Sequence, residues 1–201
     1  MKKILKTPIS TADIADLRVG DIVYLDGMIA TCRDISHRRL VLRGEEPNFA
    51  LSGMAIFHAG PIVQRQDERW EMISIGPTTS MRMEKFEAEF IAMTGVKLIV
   101  GKGGMGAKTA AACREHKVLH AVIPGGCAVM AAEAVEEISG VEWLDQGMPE
   151  AFWVCRVKNL GPLIISIDTA GNNLFEQNKK LFYERRDELL PGIYEQVQFM
   201  Q

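Results

Sequence analysis

Little in this sequence points to a metal cluster, a membrane span or a polynucleotide surface. Only four of its 201 residues are cysteine: Cys32, Cys113, Cys127 and Cys155. None forms a C-x-x-C pair, and no two have the spacing of a zinc or iron–sulfur clip. Each reads as a free, mostly buried thiol, so any metal chemistry has to come from a partner or a bound cofactor. Apolar runs are short. Pro162 to Ile167 is among the longest, far below the ~20 residues of a membrane helix. The opening MKKILKTPIS has lysines but no signal-peptide core, and the expectation is a cytoplasmic protein. Neither sign of charge is in large excess: 23 Lys+Arg against 26 Asp+Glu leave a net charge of -3. That excludes a generally basic, nucleic-acid-binding surface and leaves room for a local cationic pocket. Internal repeats, low-complexity tracts and flexible linkers are missing, so residues 1–201 read as one domain. With 47% hydrophobic residues, a chain of this length can bury a proper core.

The most informative stretch runs from Gly76 to Gly106, GPTTSMRMEKFEAEFIAMTGVKLIVGKGGMG. It reads as loop, helix, strand and glycine-rich loop. Met83, Phe86, Phe90 and Met93 fall at i, i+3, i+7 and i+10, the stripe of a helix packed on a sheet, and Gly95 stops it. Thr78, Thr79 and Ser80 precede that helix, where free N–H groups favour an anion. One hydroxyl is enough for a cap, so a cap and a ligand role stay open for Thr79 and Ser80. Val96 to Val100 is a strand, followed by Gly101-Lys-Gly-Gly-Met-Gly and a helix from Ala107. In this layout both loops fall at one edge of a sheet, with Arg82 and Lys102 among them; the alternative for Lys102 is a solvent-facing side chain. The G-x-G-x-x-G pattern is discounted as a dinucleotide site because the strand Val118 to Ile123 ends in Pro-Gly-Gly, without the ribose-binding acid. A Walker A loop fails by one residue.

Elsewhere, Ser10 or Thr11 caps a short helix over Ala12 to Leu17. Asp21 to Leu25 and Met28 to Thr31 read as an antiparallel hairpin turning at Asp26-Gly27. Asp34 is a candidate N-cap for a short helix over Ile35 to Leu40, and Arg33 lies at the strand-to-helix junction, where a side chain reaches over a sheet edge. Arg38, Arg39 and Arg43 read as a solvated face, and His37 as satisfying a local backbone group. Ala55 to Pro61 is an apolar run closed by Gly-Pro, Gln64 to Arg69 a loop and Trp70 to Ile75 a strand. Alanine-rich Cys127 to Ile138 reads as a helix. Phe152 to Val157 and Leu163 to Ile167 read as two strands split by Asn159-Leu-Gly-Pro. A last helix spans Leu174 to about Arg186, and the tail from Pro191 adds a helical turn or packs on a partner. Two consecutive strand–helix units imply a parallel sheet with right-handed crossovers, and the strand-rich first third an antiparallel part. The fold class is α/β with a mixed sheet.

Several segments carry a family resemblance: TCRDISHRRL from Thr31, IFHAGPIV from Ile56, SIGPTTSMRMEKFE from Ser74, TGVKLIVGKGGMG from Thr94 and WVCRVKNLGPLIISIDTAGNNL from Trp153. Over nearly its whole length the chain resembles the beta subunits of iron–sulfur-dependent hydro-lyases, a family shared by class I fumarases and two-subunit L(+)-tartrate dehydratases. The resemblance implies a swivelling β/β/α domain, as at the C-terminus of class I fumarase. It implies dehydration of a 2-hydroxy dicarboxylate, L(+)-tartrate to oxaloacetate foremost. The implied alternatives are a malate/fumarate enzyme and a non-catalytic subunit that only closes the site. It implies an alpha subunit that carries a [4Fe–4S] cluster acting as Lewis acid, with this chain ligating no metal, in an α2β2 heterotetramer inactive without alpha. Carried over by motif, Thr78 is the base and Arg33, Arg82 and Lys102 bind substrate carboxylates. Cations around Thr78 would make its hydroxyl a usable base. Ser36 stands where the pattern has Cys, and Gly125-Gly126 where it has Ala-Gly; neither touches these positions.

Overall fold

The computed structural model describes residues 3–196, so the end of the tail lies outside the described residues. Among the described residues nine strands and six α-helices follow in order. Strand β1 spans Lys3–Lys6, β2 Ile22–Thr31, β3 Ala55–Phe57, β6 Leu98–Gly101 and β7 Leu119–Val122. These five are parallel neighbours in that order. Strand β9, Phe152–Ile167, runs antiparallel to β7, and β8, Val135–Glu142, pairs with β9 at the edge. The sheet is therefore mixed, within an α/β fold.

β9 also pairs with β2, from Ile22↔Ile164 to Ala30↔Val154. That second pairing closes β2, β3, β6, β7 and β9 into a ring. Alternation does the rest. Ala55, Phe57, Leu98 and Val100 join the core inside the ring, with Trp153 and Leu163. Ile56 and Ile99 face outward onto Phe90, Ile91 and Cys113 of the covering helices. Those helices are α2 (Asp34–Arg43), α3 (Glu84–Thr94) and α4 (Ala107–His116). The β4–β5 hairpin (Ala59–Gln66 and Arg69–Pro77) forms a separate two-stranded sheet. Trp70 on it meets Trp153 edge to face, centroids 5.2 Å apart, an arrangement worth ~1 kcal/mol beyond its buried area.

The expected N-terminal hairpin is absent. Asp26 and Gly27 lie inside one ten-residue strand as a bulge. The Asp26 carboxylate accepts from the Asn159 backbone N–H at 2.7 Å, so the irregularities of β2 and β9 face each other. By the same device β9 is one strand, not two: Asn159 takes φ 55 and the register slips between Val157 and Leu160. Pairing on both sides overrides the turn chemistry of Asn-Leu-Gly-Pro. The predicted helix over Cys127 to Ile138 shortens to α5, Ala128–Glu133. Val135, Ile138 and Val141 instead pack against the core on β8, where β-branched residues fit a paired strand better than an edge helix. The expected loop over Gln64 to Arg69 narrows to a turn at Asp67-Glu68, and Gly60-Pro61 lies within β4. Met93 is 48% exposed, so the stripe of α3 ends at Phe90. The short helix near the start is Thr11–Ile14, with Ser10 and Asp13 in a capping box. The last helix, α6, runs from Leu174 to Gln196 through Pro191.

Candidate active site

The carboxyl ends of β2, β3, β6 and β7 lie at one edge, the usual place for a ligand in a parallel sheet. Arg33 follows β2, His58 follows β3, Lys102 follows β6 and Pro124-Gly125 follow β7. The 78–80 segment is laced into this edge by backbone bonds. Thr78 N donates to His58 O at 2.6 Å, Lys102 N to Thr78 O at 3.2 Å and Ser80 N to Lys102 O at 3.0 Å. Loop and strand end thus behave as one short parallel bridge between Thr79 and Lys102. Gly101 makes this possible, because a Cβ there would lie 1.9 Å from Ser80 Oγ.

Thr78 and Arg82 touch directly. Arg82 Nη2 donates to Thr78 Oγ1 at 2.8 Å and to Asp34 Oδ2 at 2.6 Å. Asp34 is therefore the first residue of α2 and a partner of Arg82, while Arg33 occupies the N-cap position without a side-chain cap bond. Arg33 Nη2 pairs with Glu150 Oε1 at 3.2 Å. Its guanidinium lies over Gly60, where a Cβ would meet Nη1 at 2.2 Å. Its Nε is buried and has no hydrogen-bond partner among the described residues. Lys102 is exposed, and its stem passes 3.9 Å from where a Cβ on Gly125 would sit. Backbone bonds join Lys102 to Thr78, and Asp34 links the start of α2 to Arg82.

Two features of the loops limit what they can bind. The 78–80 hydroxyls do not converge: Ser80 turns inward to His58 Nδ1 at 3.0 Å, Thr79 is exposed, and Thr78 alone meets a cation. Nor is the N-terminus of α4 open to an anion. Glu84 fills it, accepting from Gly106 N at 2.7 Å, Lys108 N at 3.1 Å and the Thr109 hydroxyl at 2.6 Å. That occupancy explains why a glycine-rich loop before a helix forms no phosphate cradle here.

Sequence reasoning missed a sealed cluster directly beneath this edge. His37, His58 and Glu87 are fully buried. Glu87 Oε2 lies 3.4 Å from His37 Nε2 and 3.2 Å from His58 Nε2. His37 Nδ1 reaches the Arg33 carbonyl at 2.8 Å and lies 3.1 Å from Cys32 Sγ. Burial opposes charge on His37, but Cys32 and Glu87 outweigh it and hold its pKa well above the ordinary imidazole value. Burial also pushes the Cys32 thiol up, against the lowering effect of His37. Burial opposes the Glu87 charge too, and the facing His58 and His37 hold its pKa well down. His58 is lowered by burial, and burial with His58 nearby pushes His120 down to about 3. The signal for this cluster was present: Met83, Glu87 and Phe90 fall at i, i+4 and i+7, which puts a carboxylate on the apolar stripe.

Among the described residues, His37, His58 and Glu87 are the set whose donor atoms lie close enough to hold a metal ion. Both imidazoles approach the same carboxylate oxygen, which describes an ion pair as readily as a metal centre. The cysteines do not fit an iron–sulfur cluster. Among the described residues none of the four belongs to a group of donor atoms close enough to hold a metal ion, and Cys32, Cys113 and Cys155 are buried. One broad surface depression of about 580 Å³ lies elsewhere, between β5, α5 and β8. Its lining includes Glu71, Glu133, Glu136 and Glu137, the wrong charge for an anionic substrate.

A family model described as Fumarase C-terminus matches residues 2–178. The chain is 59% identical over 200 residues to the L(+)-tartrate dehydratase subunit beta of Escherichia coli (strain K12), covering 100% of both. It is 43% identical over 182 residues to a putative L(+)-tartrate dehydratase subunit beta of Methanocaldococcus jannaschii, covering 89% of this chain and 93% of that one. It is 35% identical over 191 residues to a putative fumarate hydratase class I of Geobacillus stearothermophilus, covering 94% of this chain and 37% of that protein. The chain belongs to the fumarase C-terminus family of iron–sulfur hydro-lyases.

Proposed function

We propose that this chain is the beta subunit of a hydro-lyase that converts L(+)-tartrate to oxaloacetate and water, and that it supplies the carboxylate-binding, proton-removing half of the active site. The observation that carries the site assignment is the Arg82 guanidinium donating to the Thr78 hydroxyl at an edge shared with Arg33 and Lys102. Removing a proton beside a carboxylate adds negative charge to an anion that already carries two. Arg33 and Arg82 offer planar forks for the carboxylates, and Lys102 a point charge. Thr78 takes the proton from carbon, and the Arg82 N–H already aimed at its oxygen stabilises the alkoxide form needed for that step. The choice of tartrate rests on full-length similarity to the E. coli subunit.

The [4Fe–4S] cluster belongs, on this reading, to the alpha subunit, since among the described residues no cysteine belongs to a group of donor atoms close enough to hold a metal ion. Residues 1–201 act as one domain, which the pairing of β2 with β9 supports by tying the first third to the last. The assembly is an α2β2 heterotetramer, and the free thiols fit the reducing cytoplasm.

The test is anaerobic co-expression with the alpha chain, cluster reconstitution, and assay of water loss from L-tartrate and L-malate. Oxaloacetate formed preferentially from tartrate is expected. Preference for malate would move the enzyme to fumarase, and turnover by the purified beta chain alone would overturn the division of labour. Thr78→Ala is expected to abolish turnover while the subunits still associate; full activity would remove Thr78 as the base.

A further inference from the structure

The scheme above makes no use of Glu87, His37 and His58, although each is sealed from solvent. Isolated buried charges are costly, and this one faces two different segments of the site. On one side, His37 accepts no freedom in its protons. Its Nδ1 meets the Arg33 carbonyl, which can only accept a hydrogen bond, so Nδ1 carries a hydrogen. Its Nε2 lies 3.4 Å from the Glu87 carboxylate, an ion-pair contact without hydrogen-bond geometry, and the buried negative charge there favours a proton on Nε2 as well. His37 is an imidazolium. On the other side, Ser80 Oγ can donate to His58 Nδ1, which leaves the hydrogen of a neutral ring on His58 Nε2, 3.2 Å from Glu87 Oε2 in a contact that falls short of hydrogen-bond geometry. The groups facing the cluster are Cys32, 3.1 Å from His37 Nδ1, the ring of Phe90, tilted against His37 with centroids 4.5 Å apart, the Asp34 carboxylate, whose charge acts on His58, and more distant His120, whose ring centroid lies 6.5 Å from His58.

Each histidine is therefore a rod from one carboxylate to one site segment. The His37 rod ends on the backbone of Arg33. The His58 rod ends on Ser80, whose N–H is bonded to Lys102 O, while the His58 carbonyl receives the Thr78 N–H. We propose that Glu87, through His37 and His58, is the positioning residue of this site: one buried carboxylate locks the Arg33 segment to the Thr78–Arg82 segment and sets the distance between carboxylate clamp and base. The inference rests on the roles given to Arg33 and Thr78 above. It differs from a purely structural role because the two rods act on different kinetic constants. The Arg33 rod governs substrate binding, and the Ser80 rod governs proton removal.

The test uses the reconstituted complex with L-tartrate as probe. In Glu87→Gln both rods loosen, and a displacement of ~1 Å at reacting groups costs ~100-fold. KM is expected to rise and kcat to fall, lowering kcat/KM by ~10- to 100-fold. Ser80→Ala cuts only the His58 rod and is expected to lower kcat with KM close to that of the wild type. It removes a single oxygen, so it carries the test if Glu87→Gln fails to assemble. With ¹⁵N-histidine in the beta chain of the complex, nitrogen NMR at pH 8 should show one imidazolium in the wild type and none in Glu87→Gln. Three results would overturn the proposal. One is wild-type kcat and KM in Glu87→Gln beside an Arg33→Ala variant with raised KM, which leaves the site reading intact. Another is unchanged KM in Arg33→Ala, which removes the site reading itself. The third is one equivalent per beta chain of a divalent metal other than cluster iron, lost in Glu87→Gln, which would make the cluster a metal centre.

Discussion

Gly101→Ala tests the lacing of the site with one methyl group. A Cβ at this position would lie 1.9 Å from Ser80 Oγ and 3.3 Å from His58 Cβ and Nδ1. Bringing the first distance to the 3.4 Å of ordinary contact needs about 1.5 Å of movement. The Ser80 hydroxyl cannot swing aside and keep His58, and its backbone is bonded to Lys102 O at 3.0 Å. The movement therefore passes to the Thr78–Arg82 segment. Overpacking costs about 1–3 kcal/mol and the lost buried hydrogen bond about 1 kcal/mol more. For a chain of this size that is a fall in melting temperature of roughly 5–15 °C. With Thr78 as the proposed base, a displacement of more than 1 Å lowers kcat/KM by about 100-fold.

The assay is steady-state kinetics and a thermal melt on the reconstituted complex. Gly140→Ala serves as the control, since a Cβ there meets nothing within 4 Å and the change should stay within about 0.5 kcal/mol. Adding Ser80→Ala to Gly101→Ala removes the clashing oxygen and should restore activity to the level of Ser80→Ala alone. A Gly101→Ala enzyme with wild-type kcat/KM and melting temperature would refute the idea that Ser80 and His58 hold Thr78 in place.

Two further outcomes follow from charge. Glu84→Ala leaves the N-terminus of α4 without the carboxylate that accepts from Gly106, Lys108 and Thr109, and should cost about 2 kcal/mol in a urea titration; no change in midpoint would mean that water replaces it freely. His37 has a raised pKa in the folded chain, so its contribution is fully present below the unfolded value of about 6.5 and is lost as pH rises through the folded value. His58 and His120 are lowered, so they cost stability as pH falls below about 6.5. Thermal stability should therefore decline on both sides of neutrality, and Glu87→Gln should flatten the alkaline limb; an unchanged alkaline limb would place the His37 charge elsewhere.

What was legible in the sequence is what is local. The strand–loop–helix units after Val96 and Val118, the stop at Gly95 and the cap at Ser10 each depend on a few neighbouring residues, and the structure has them all. So does the placing of the Thr78 and Lys102 loops at one edge, since parallel strands put successive loops together. Long-range pairing is what the sequence concealed. Asp26-Gly27 and Asn159-Leu-Gly-Pro carry turn chemistry, yet each sits inside a strand because β2 and β9 pair across more than 120 positions of sequence. The alanine-rich segment after Cys127 has helical propensity through Ile138, and β9 claims its second half. Glu87 was visible as a carboxylate on an apolar stripe, but its two partners come from α2 and the end of β3, and no spacing rule joins them.

The cations of the site are held without being used up, and this decides what they can bind. Arg82 spends one terminal nitrogen on Thr78 and Asp34. Arg33 spends one on Glu150 and keeps a buried Nε with no partner among the described residues. Each guanidinium has five N–H donors, so each retains an edge for a substrate carboxylate while its own carboxylate partner fixes its plane. Asp34 and Glu150 also lower the positive potential of the empty site. A monoanion then gains little over solvent, whereas a dianion reaching Arg33, Arg82 and Lys102 together recovers the interaction of all three. On the proposed roles of Arg33, Arg82 and Lys102, selectivity for a dicarboxylate rests on paired arginines and one exposed lysine, and replacing Asp34 or Glu150 by its amide should raise affinity for monocarboxylates at the expense of that selectivity.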